Sequence, residues 1–187
     1  MNKFSAIIII LFCFNTAFCQ NSDKRFFEFG IDLQQYPTGF LTGLRAEFGP
    51  KAHHSFDLRI GFNSLDHMDF GVQDSEIGGG FGGSLGYRYY FNEMHKNWFI
   101  GPRVDFWNNI VDWQQIMEDT NELIAEGTSN LLVVQPTLIG GYRWQFNEHF
   151  ALTPTLAAGF EINAITDGEE IGQGAILLWG LNITYRL

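Results

Sequence analysis

Residues that could carry out covalent chemistry gather in one polar stretch, where Ser64, Asp66, His67 and Asp69 follow one another closely. A nucleophilic hydroxyl needs a base within hydrogen-bond reach and an acid that orients that base, and these residue types supply all three. Polar surface loops are rich in the same types. We therefore expect a solvated loop, assign no catalytic residue, and keep an enzyme as the alternative interpretation.

Two further motifs could hold a cofactor or a metal ion. Gly78–Gly83 has the formal spacing of a dinucleotide-binding loop, but a strand pattern follows it where such a loop needs a helix. The histidines do not show the helical spacing, with a nearby glutamate, that is typical of zinc enzymes. They are His53, His54, His67, His95 and His149. We expect neither a cofactor nor a metal site.

Composition limits the class of protein. The chain has 187 residues, 11 Lys and Arg against 21 Asp and Glu, and a net charge of −10, which argues against nucleic-acid binding. Its aromatic content of 16% argues against an acidic disordered chain. The 21 Gly and 19 Phe, with few helix-forming runs, indicate an all-β domain.

The first residues have the pattern of a secretory signal peptide. A short positive start precedes the apolar run Phe4–Phe14, and the small residues Ala17 and Cys19 fit a cut before Gln20. Acylation of Cys19 is the alternative, although Phe18 is larger than a lipoprotein signal prefers. We expect residues 1–19 to be a cleaved signal peptide and residues 20–187 to be one domain. Both cysteines would then be lost, which excludes disulfides.

The mature chain alternates in polarity with a period of two, as half-buried strands do. Turn residues divide it into eight segments, at about 25–34, 39–49, 54–63, 78–91, 97–107, 131–146, 149–162 and 173–187. One face of every segment is apolar and aromatic and carries no charge. The other face is rich in Gly, Ser and Thr and holds equal numbers of acids and arginines. These residues are Glu28, Asp32, Arg45, Glu47, Asp57, Arg59, Arg88, Arg103, Asp105, Arg143, Glu161 and Arg186.

The alternation fits either a soluble, lipocalin-like barrel with its apolar face inside, or an inverse barrel with its apolar face outside. The apolar face is continuous over all eight segments, and the polar face contains arginine without lysine, which suits confined bidentate pairing with carboxylates. We therefore predict an eight-stranded antiparallel up-and-down transmembrane β-barrel, because only a closed barrel satisfies every strand's backbone groups in lipid. The twelve charged residues would form its closed, ion-paired interior.

Connection lengths alternate between short and long, except for a brief first connection near residues 35–38. Short turns face the periplasm in such barrels and long loops face outside, so we expect both termini in the periplasm. The third outer loop, about 108–130, has apolar residues at near-helical spacing and allows a short amphipathic helix. The three long loops, including Glu76, carry acids without Lys or Arg, and we interpret them as a solvated face.

The chain resembles the small eight-stranded outer-membrane barrels of the OmpA/OmpX type over about residues 25–187. Members usually end on an aromatic residue, with apolar residues at every second position before it. Trp179, Leu181, Ile183 and Tyr185 match this assembly signal, but Leu187 stands last where the family has Phe. The junction of Cys19 and Gln20 also resembles Bacteroidota signal junctions.

The resemblance implies a porin-like cell-envelope protein in the outer membrane of a Gram-negative cell. Its expected partners are outer-membrane lipid, lipopolysaccharide and, during biogenesis, the barrel-assembly machinery; we expect a monomer. The family does not imply one activity. We expect a structural or surface-interaction role, with a lipid A-modifying enzyme or a small channel as the alternatives.

Overall fold

The computed structural model describes residues 25–68, 75–117, 122–168 and 173–187. The predicted signal peptide, residues 1–19, lies outside these ranges. Eight strands make up nearly all of the described chain. They are β1 (Phe26–Tyr36), β2 (Gly39–Lys51), β3 (His54–Met68), β4 (Ser75–Tyr90), β5 (Asn97–Met117), β6 (Glu122–Gln145), β7 (Phe150–Asp167) and β8 (Gly174–Arg186).

Each strand pairs antiparallel with the next, and β1 pairs with β8, so the sheet closes into a barrel. The closing register places Glu28 opposite Arg186 and Leu33 opposite Leu181. The predicted eight-stranded antiparallel barrel is thus confirmed. Among the described residues, no helix is long and apolar enough to cross a membrane.

The two faces of the sheet have the polarity that alternation predicted. Leu44, Phe62, Trp98 and Phe160 expose between 62% and 64% of their surface on the outside of the barrel, and similar apolar residues surround it on every strand. An exposed apolar surface of this size is unfavourable in water, whereas lipid tails form an apolar environment that suits it. The outer belt therefore defines a transmembrane barrel.

The two ends of the barrel differ. At the short-turn end, residues 52–53, 91–96 and 146–149 connect the strands, β1 begins and β8 ends. At the long-hairpin end, β3 to β7 continue well beyond the shorter strands β8, β1 and β2.

The prediction of a helix in the loop 108–130 is wrong for the residues described there. β5 runs to Met117 and β6 begins at Glu122, so both flanks of residues 118–121 are strand. The ladder of β4 with β5 also runs on to the pair Ser75 and Gln114. A helix at this position would break hydrogen bonds that the ladder already makes with its neighbour, which outweighs a weak helical periodicity.

The glycine run in β4 gives the interior room for a large side chain. Gly82 pairs with Trp107 of β5, which is fully buried in the lumen. A Cβ added at Gly82 would meet the carbonyl oxygen of Phe106 and would lie 2.6 Å from Cε3 of Trp107. The nucleotide-like spacing of Gly78–Gly83 is therefore explained by close packing between two strands.

Gly82→Ala is expected to lower the free energy of unfolding by about 1–3 kcal/mol, because overpacking forces the neighbouring backbone and Trp107 to shift. Gly140→Ala is the matched control, since the nearest atom to its added Cβ is the carbonyl oxygen of Phe99 at 3.5 Å. Urea unfolding in lipid vesicles, followed by tryptophan fluorescence, measures both variants. Equal stabilities would contradict the packing role of Gly82.

Candidate functional site

The lumen contains the charged residues that the alternation assigned to one face. Ten of the twelve are buried, and the other two, Glu161 and Arg186, are partly buried. They come from all eight strands, because every second residue of each strand points inward. The lumen is the candidate functional site, since it brings these twelve charged residues together in a confined space.

The ion pairs nearest the short-turn end form around Glu28 and Glu47. Arg143 of β6 contacts Glu28 of β1, and Arg45 contacts its neighbour on the same strand, Glu47. Tyr90 also donates its hydroxyl to Glu47 at 2.9 Å. The contacts of Arg143 with Glu28 and of Tyr90 with Glu47 join strands that are not neighbours in the sheet.

Asp57 is held by two arginines in the same layer. Nε of Arg88 lies 3.2 Å from one oxygen of Asp57, and Nε of Arg45 lies 3.7 Å from the other. Arg88 also lies 3.6 Å from Glu47, so one guanidinium bridges two carboxylates. A delocalised, planar cation suits this bridging better than the point charge of lysine.

A second group of ion pairs lies near the middle of the barrel and centres on Arg59. Its guanidinium donates to Asp32 at 2.9 Å, to Gln34 at 2.7 Å and to Asp105 at 2.5 Å. Arg103 donates to the second oxygen of Asp105 at 3.0 Å. Arg59 therefore ties β3 to strands on both sides of the lumen.

Asn182 connects the two groups. Its amide nitrogen donates to Asp32 at 2.6 Å, and its oxygen accepts from Arg88 at 3.2 Å. The ion pairs of eleven of the twelve predicted residues thus form one continuous network. Glu161 is the exception among the residues described, because it accepts a hydrogen bond from Gln135 and not from an arginine. Each buried carboxylate of this network contacts an arginine, which is the condition under which charges are tolerated away from water, although several guanidinium nitrogens, such as Nε of Arg59, have no hydrogen-bond partner among the residues described.

Above Arg59, toward the long-hairpin end, the lumen holds a mainly apolar layer, with the buried amides of Asn63, Asn109 and Gln135 among its side chains. The guanidinium carbon of Arg59 lies 5.4 Å from the ring centroid of Trp107, whose Nε1 donates to Gln135 at 3.2 Å. The layer is formed by the buried side chains of Tyr36, Leu41, Trp107, Val111, Leu131, Val133, Ala157, Ile176 and Leu178. Side chains therefore occupy the lumen on both sides of Arg59.

Sequence reasoning missed this apolar layer. It treated the inner face as small and polar, although Leu131, Val133, Ile176 and Leu178 stand at inward parity. A run that is apolar at both parities, Leu131–Val134, was the available signal, because a strand with one wet face would alternate there. Glu76 was also misplaced: the structure buries it in β4, and it is not part of a solvated loop.

The short-turn end is closed by aromatic packing around His95. Its ring meets Phe26 edge-on, with centroids 4.6 Å apart, and Tyr90 at 5.4 Å. Burial lowers the pKa of His95 below its ordinary value, so the ring is neutral at neutral pH. Nε2–H then donates to the carbonyl oxygen of Lys51 at 3.0 Å, which ties two turns together.

The other candidate residues do not assemble into a reactive site among the residues described. Ser64 and Asp66 are exposed on β3, while the side chain of His67 and the whole of Asp69 lie outside what the structure describes. No group of three or more His, Cys, Asp or Glu that could hold a metal ion occurs in the described ranges. The hydroxyl of Ser55 donates to Glu47 at 2.5 Å, but Glu47 is already engaged by arginines.

The residues of the predicted assembly signal lie on the outer side of β8. Trp179 and Ile183 each expose 45% of their surface, Leu187 exposes 73%, and Leu181 and Tyr185 are partly buried. They form part of the apolar belt at the strand that closes the barrel with β1. Their reading by an assembly machinery stays a prediction.

The apolar belt and the ion-paired lumen together define an eight-stranded transmembrane barrel of the outer-membrane type with a filled interior. The chain belongs to the family described as "Protein of unknown function (DUF3575)", whose model matches residues 18–169. No curated protein matches the sequence.

Solved structures are similar to this chain in fold. The N-terminal β-barrel domain of Pseudomonas aeruginosa OprF is 14% identical, with a TM-score of 0.49 over 87% of this chain and 97% of that chain. Ail, the attachment invasion locus protein of Yersinia pestis, solved with the heparin analogue sucrose octasulfate, is 6% identical, with a TM-score of 0.48 over 87% and 97%. Neisserial surface protein A is 9% identical, with a TM-score of 0.45 over 90% and 99%. At these identities the likeness concerns the fold alone.

Arg59→Met is expected to lower the free energy of unfolding by about 3–5 kcal/mol, because it leaves Asp32 and Asp105 buried without their shared cation. Adding Asp32→Asn should recover part of the loss, because Asp32 is the carboxylate left without its cation, whereas Asp105 keeps its contact with Arg103. Lys51→Met, in an exposed turn position, is the control and should change stability by less than about 0.5 kcal/mol. Urea unfolding in vesicles measures all three. Equal effects of the Arg59 and Lys51 variants would refute the network's structural role.

Proposed function

We propose that the protein is an outer-membrane barrel that does not conduct, and that its role is structural or interaction-based at the cell surface. The observation that carries this proposal is the filled lumen, in which charges pair with each other and an apolar layer lies above them. Catalysis would need a reactive group with access to substrate. The interior charges instead contact one another, and we interpret them as stabilising elements.

The filled lumen argues against the small-channel alternative. A conducting barrel needs a continuous aqueous path, but Arg59, Trp107 and their partners meet near the middle of the lumen. At the short-turn end, Phe26 and His95 pack against each other, and Arg186 lies 4.0 Å from the Phe26 ring centroid. An ion would have to displace both sets of contacts.

The wild-type protein in planar lipid bilayers is expected to show no steady conductance, because ion passage would break the buried pairs of Arg59. The matched positive control is the double variant Trp107→Ala/Tyr36→Ala. It removes two large side chains from the apolar layer and should raise the frequency of current steps. Steady, ohmic current steps from the wild-type protein would refute the proposal and favour the small channel.

We further propose that the short turns face the periplasm and the long hairpins face outside, which places both termini in the periplasm. Short periplasmic turns and longer outer loops are the rule in outer-membrane barrels. The two ends differ in charge, because Lys51 and Lys96 accompany Glu93 and Glu148 at the short-turn end, whereas the long-hairpin end carries exposed acids without Lys or Arg. Lipopolysaccharide and outer-membrane lipid would then surround the belt.

Single cysteines report this orientation, since the predicted mature chain contains none. Asp167→Cys at the long-hairpin end and Glu148→Cys in a short turn are both exposed positions. A membrane-impermeant maleimide should label Asp167→Cys on intact cells and Glu148→Cys only after lysis. The reverse pattern would show that the orientation is wrong, and labelling of both after lysis is the control for accessibility.

A further inference from the structure

One buried arginine near the short-turn end of the lumen has donors that the ion-pair network does not use. Arg143 is 1% exposed, and its Nη1 contacts Glu28. Its Nε and Nη2 have no hydrogen-bond partner in the described part of the chain. The N–H groups on these two nitrogens point the same way and form the side of the guanidinium that can bind both oxygens of a carboxylate or a phosphate. We call this side the side-on edge of Arg143.

Further donors stand close to the side-on edge, on β8. In the barrel, β7 and β8 lie between β6 and β1, so the side chain of Arg143 passes in front of them to reach Glu28. Thr184 and Arg186 belong to the inner face of β8 there. Oγ1 of Thr184 and Nε of Arg186 are buried atoms that also lack a hydrogen-bond partner among the residues described. Across the β7–β8 ladder, Thr184 faces the small side chain of Ala151.

Positive charge exceeds negative charge around Glu28. Three arginines contact this one carboxylate, namely Arg143, Arg186 at 3.5 Å and Arg45 at 4.0 Å. The described network as a whole sets six arginines against five carboxylates, since Glu161 is not part of it. The members are Arg45, Arg59, Arg88, Arg103, Arg143 and Arg186, with Glu28, Asp32, Glu47, Asp57 and Asp105.

This excess of charge distinguishes an anion from water as the partner of the free donors. Water would accept hydrogen bonds from Arg143 and Arg186, but it would leave one buried positive charge without a counter-charge. A singly charged oxyanion accepts the same hydrogen bonds and also balances the network. The donors therefore fit an anion better than they fit water.

The donors can be reached only from the short-turn end. Of the three side chains, Arg143 and Thr184 are buried, whereas the side chain of Arg186 is 16% exposed. The ring of Phe26 lies beside both guanidiniums, with its centroid 4.0 Å from Cζ of Arg186 and 5.9 Å from Cζ of Arg143. So narrow an opening limits the ligand to a small molecule or ion.

We propose that the short-turn end of the lumen binds a small oxyanion, a carboxylate or a phosphate, between Arg143, Thr184 and Arg186. The side-on edge of Arg143 binds two oxygens of the ligand. Nε of Arg186 and the hydroxyl of Thr184 donate further hydrogen bonds to the same oxygens. The inference goes beyond the structural role proposed above, and in the proposed orientation the site faces the periplasm.

The test uses the mature chain, labelled with ¹⁵N at arginine, in micelles of dodecyl maltoside, a detergent without phosphate. Sodium phosphate, sodium acetate and sodium chloride are added separately while the Nε–H cross-peaks are followed by NMR. Phosphate or acetate should shift the peaks of Arg143 and Arg186 to saturation. Chloride, a single atom that cannot match the side-on edge, should need at least about tenfold more. Arg143→Lys and Arg186→Lys assign the two peaks, because each variant loses one of them.

Two variants test the donors. Arg143→Lys keeps the positive charge but loses the side-on edge, and it should raise the half-saturating oxyanion concentration, read from the Arg186 peak, at least about tenfold. Thr184→Val keeps the volume and loses one donor, which should raise that concentration about three- to tenfold. Because Thr184→Val leaves the ion pairs of Glu28 intact, it tests the site even if Arg143→Lys does not fold.

Ser84→Ala is the matched control. The hydroxyl of Ser84 is also buried without a hydrogen-bond partner in the chain as described, but it belongs to β4. This variant should bind oxyanions like the wild type.

Three results would overturn the proposal. The first is the absence of a saturable shift with either oxyanion, which would mean that water satisfies these donors. The second is equal half-saturation by chloride and both oxyanions, which would indicate charge attraction alone. The third is equal weakening by Ser84→Ala and Thr184→Val, which would show that the anion does not bind beside β8.

Discussion

The pairing of buried charges across the lumen is the interaction on which the barrel depends. The register puts Glu28 beside Glu47 and Glu47 beside Asp57, on three adjacent strands. A row of like charges destabilises a sheet that lacks counter-charges. Arg143 reaches Glu28 from β6 only when the sheet closes. The charges that would oppose an open sheet therefore favour the closed barrel.

The lipid-facing belt explains why this arrangement is retained despite the cost of burying charge. In the core of a soluble protein, well-packed apolar residues often stabilise the fold as much as a buried ion pair would. Here the apolar residues occupy the outside, and side chains must alternate across a strand. Polar inward positions then need partners within reach. The bidentate geometry of arginine lets Arg59 and Arg88 each serve two carboxylates.

Alternation in the sequence was enough to predict the eight strands, their antiparallel closure and the inward or outward direction of the charged residues within the predicted segments. It could not predict which charges meet, because Arg143 and Glu28 are 115 residues apart and their contact depends on closure. It also failed at the long-hairpin end. Periodicity near Ile110 and Trp113 is compatible with a helix or a strand, and the neighbouring strand β4 decides between them. The apolar layer was missed because Leu131 and Val133 were judged by composition and not by parity.

The difference between the two ends of the barrel follows from the position of the ion-pair network. Ion pairs and aromatic packing extend from the middle of the lumen to the short-turn end, where Phe26 and His95 complete the closure. Toward the long-hairpin end, apolar packing replaces ion pairing, and β5 and β6 continue beyond it with exposed acids. A substitution in the projecting hairpin leaves the charge balance of the lumen unchanged. The projecting strands can therefore vary in sequence without loss of the barrel, which makes them the part of the molecule best able to acquire a binding role.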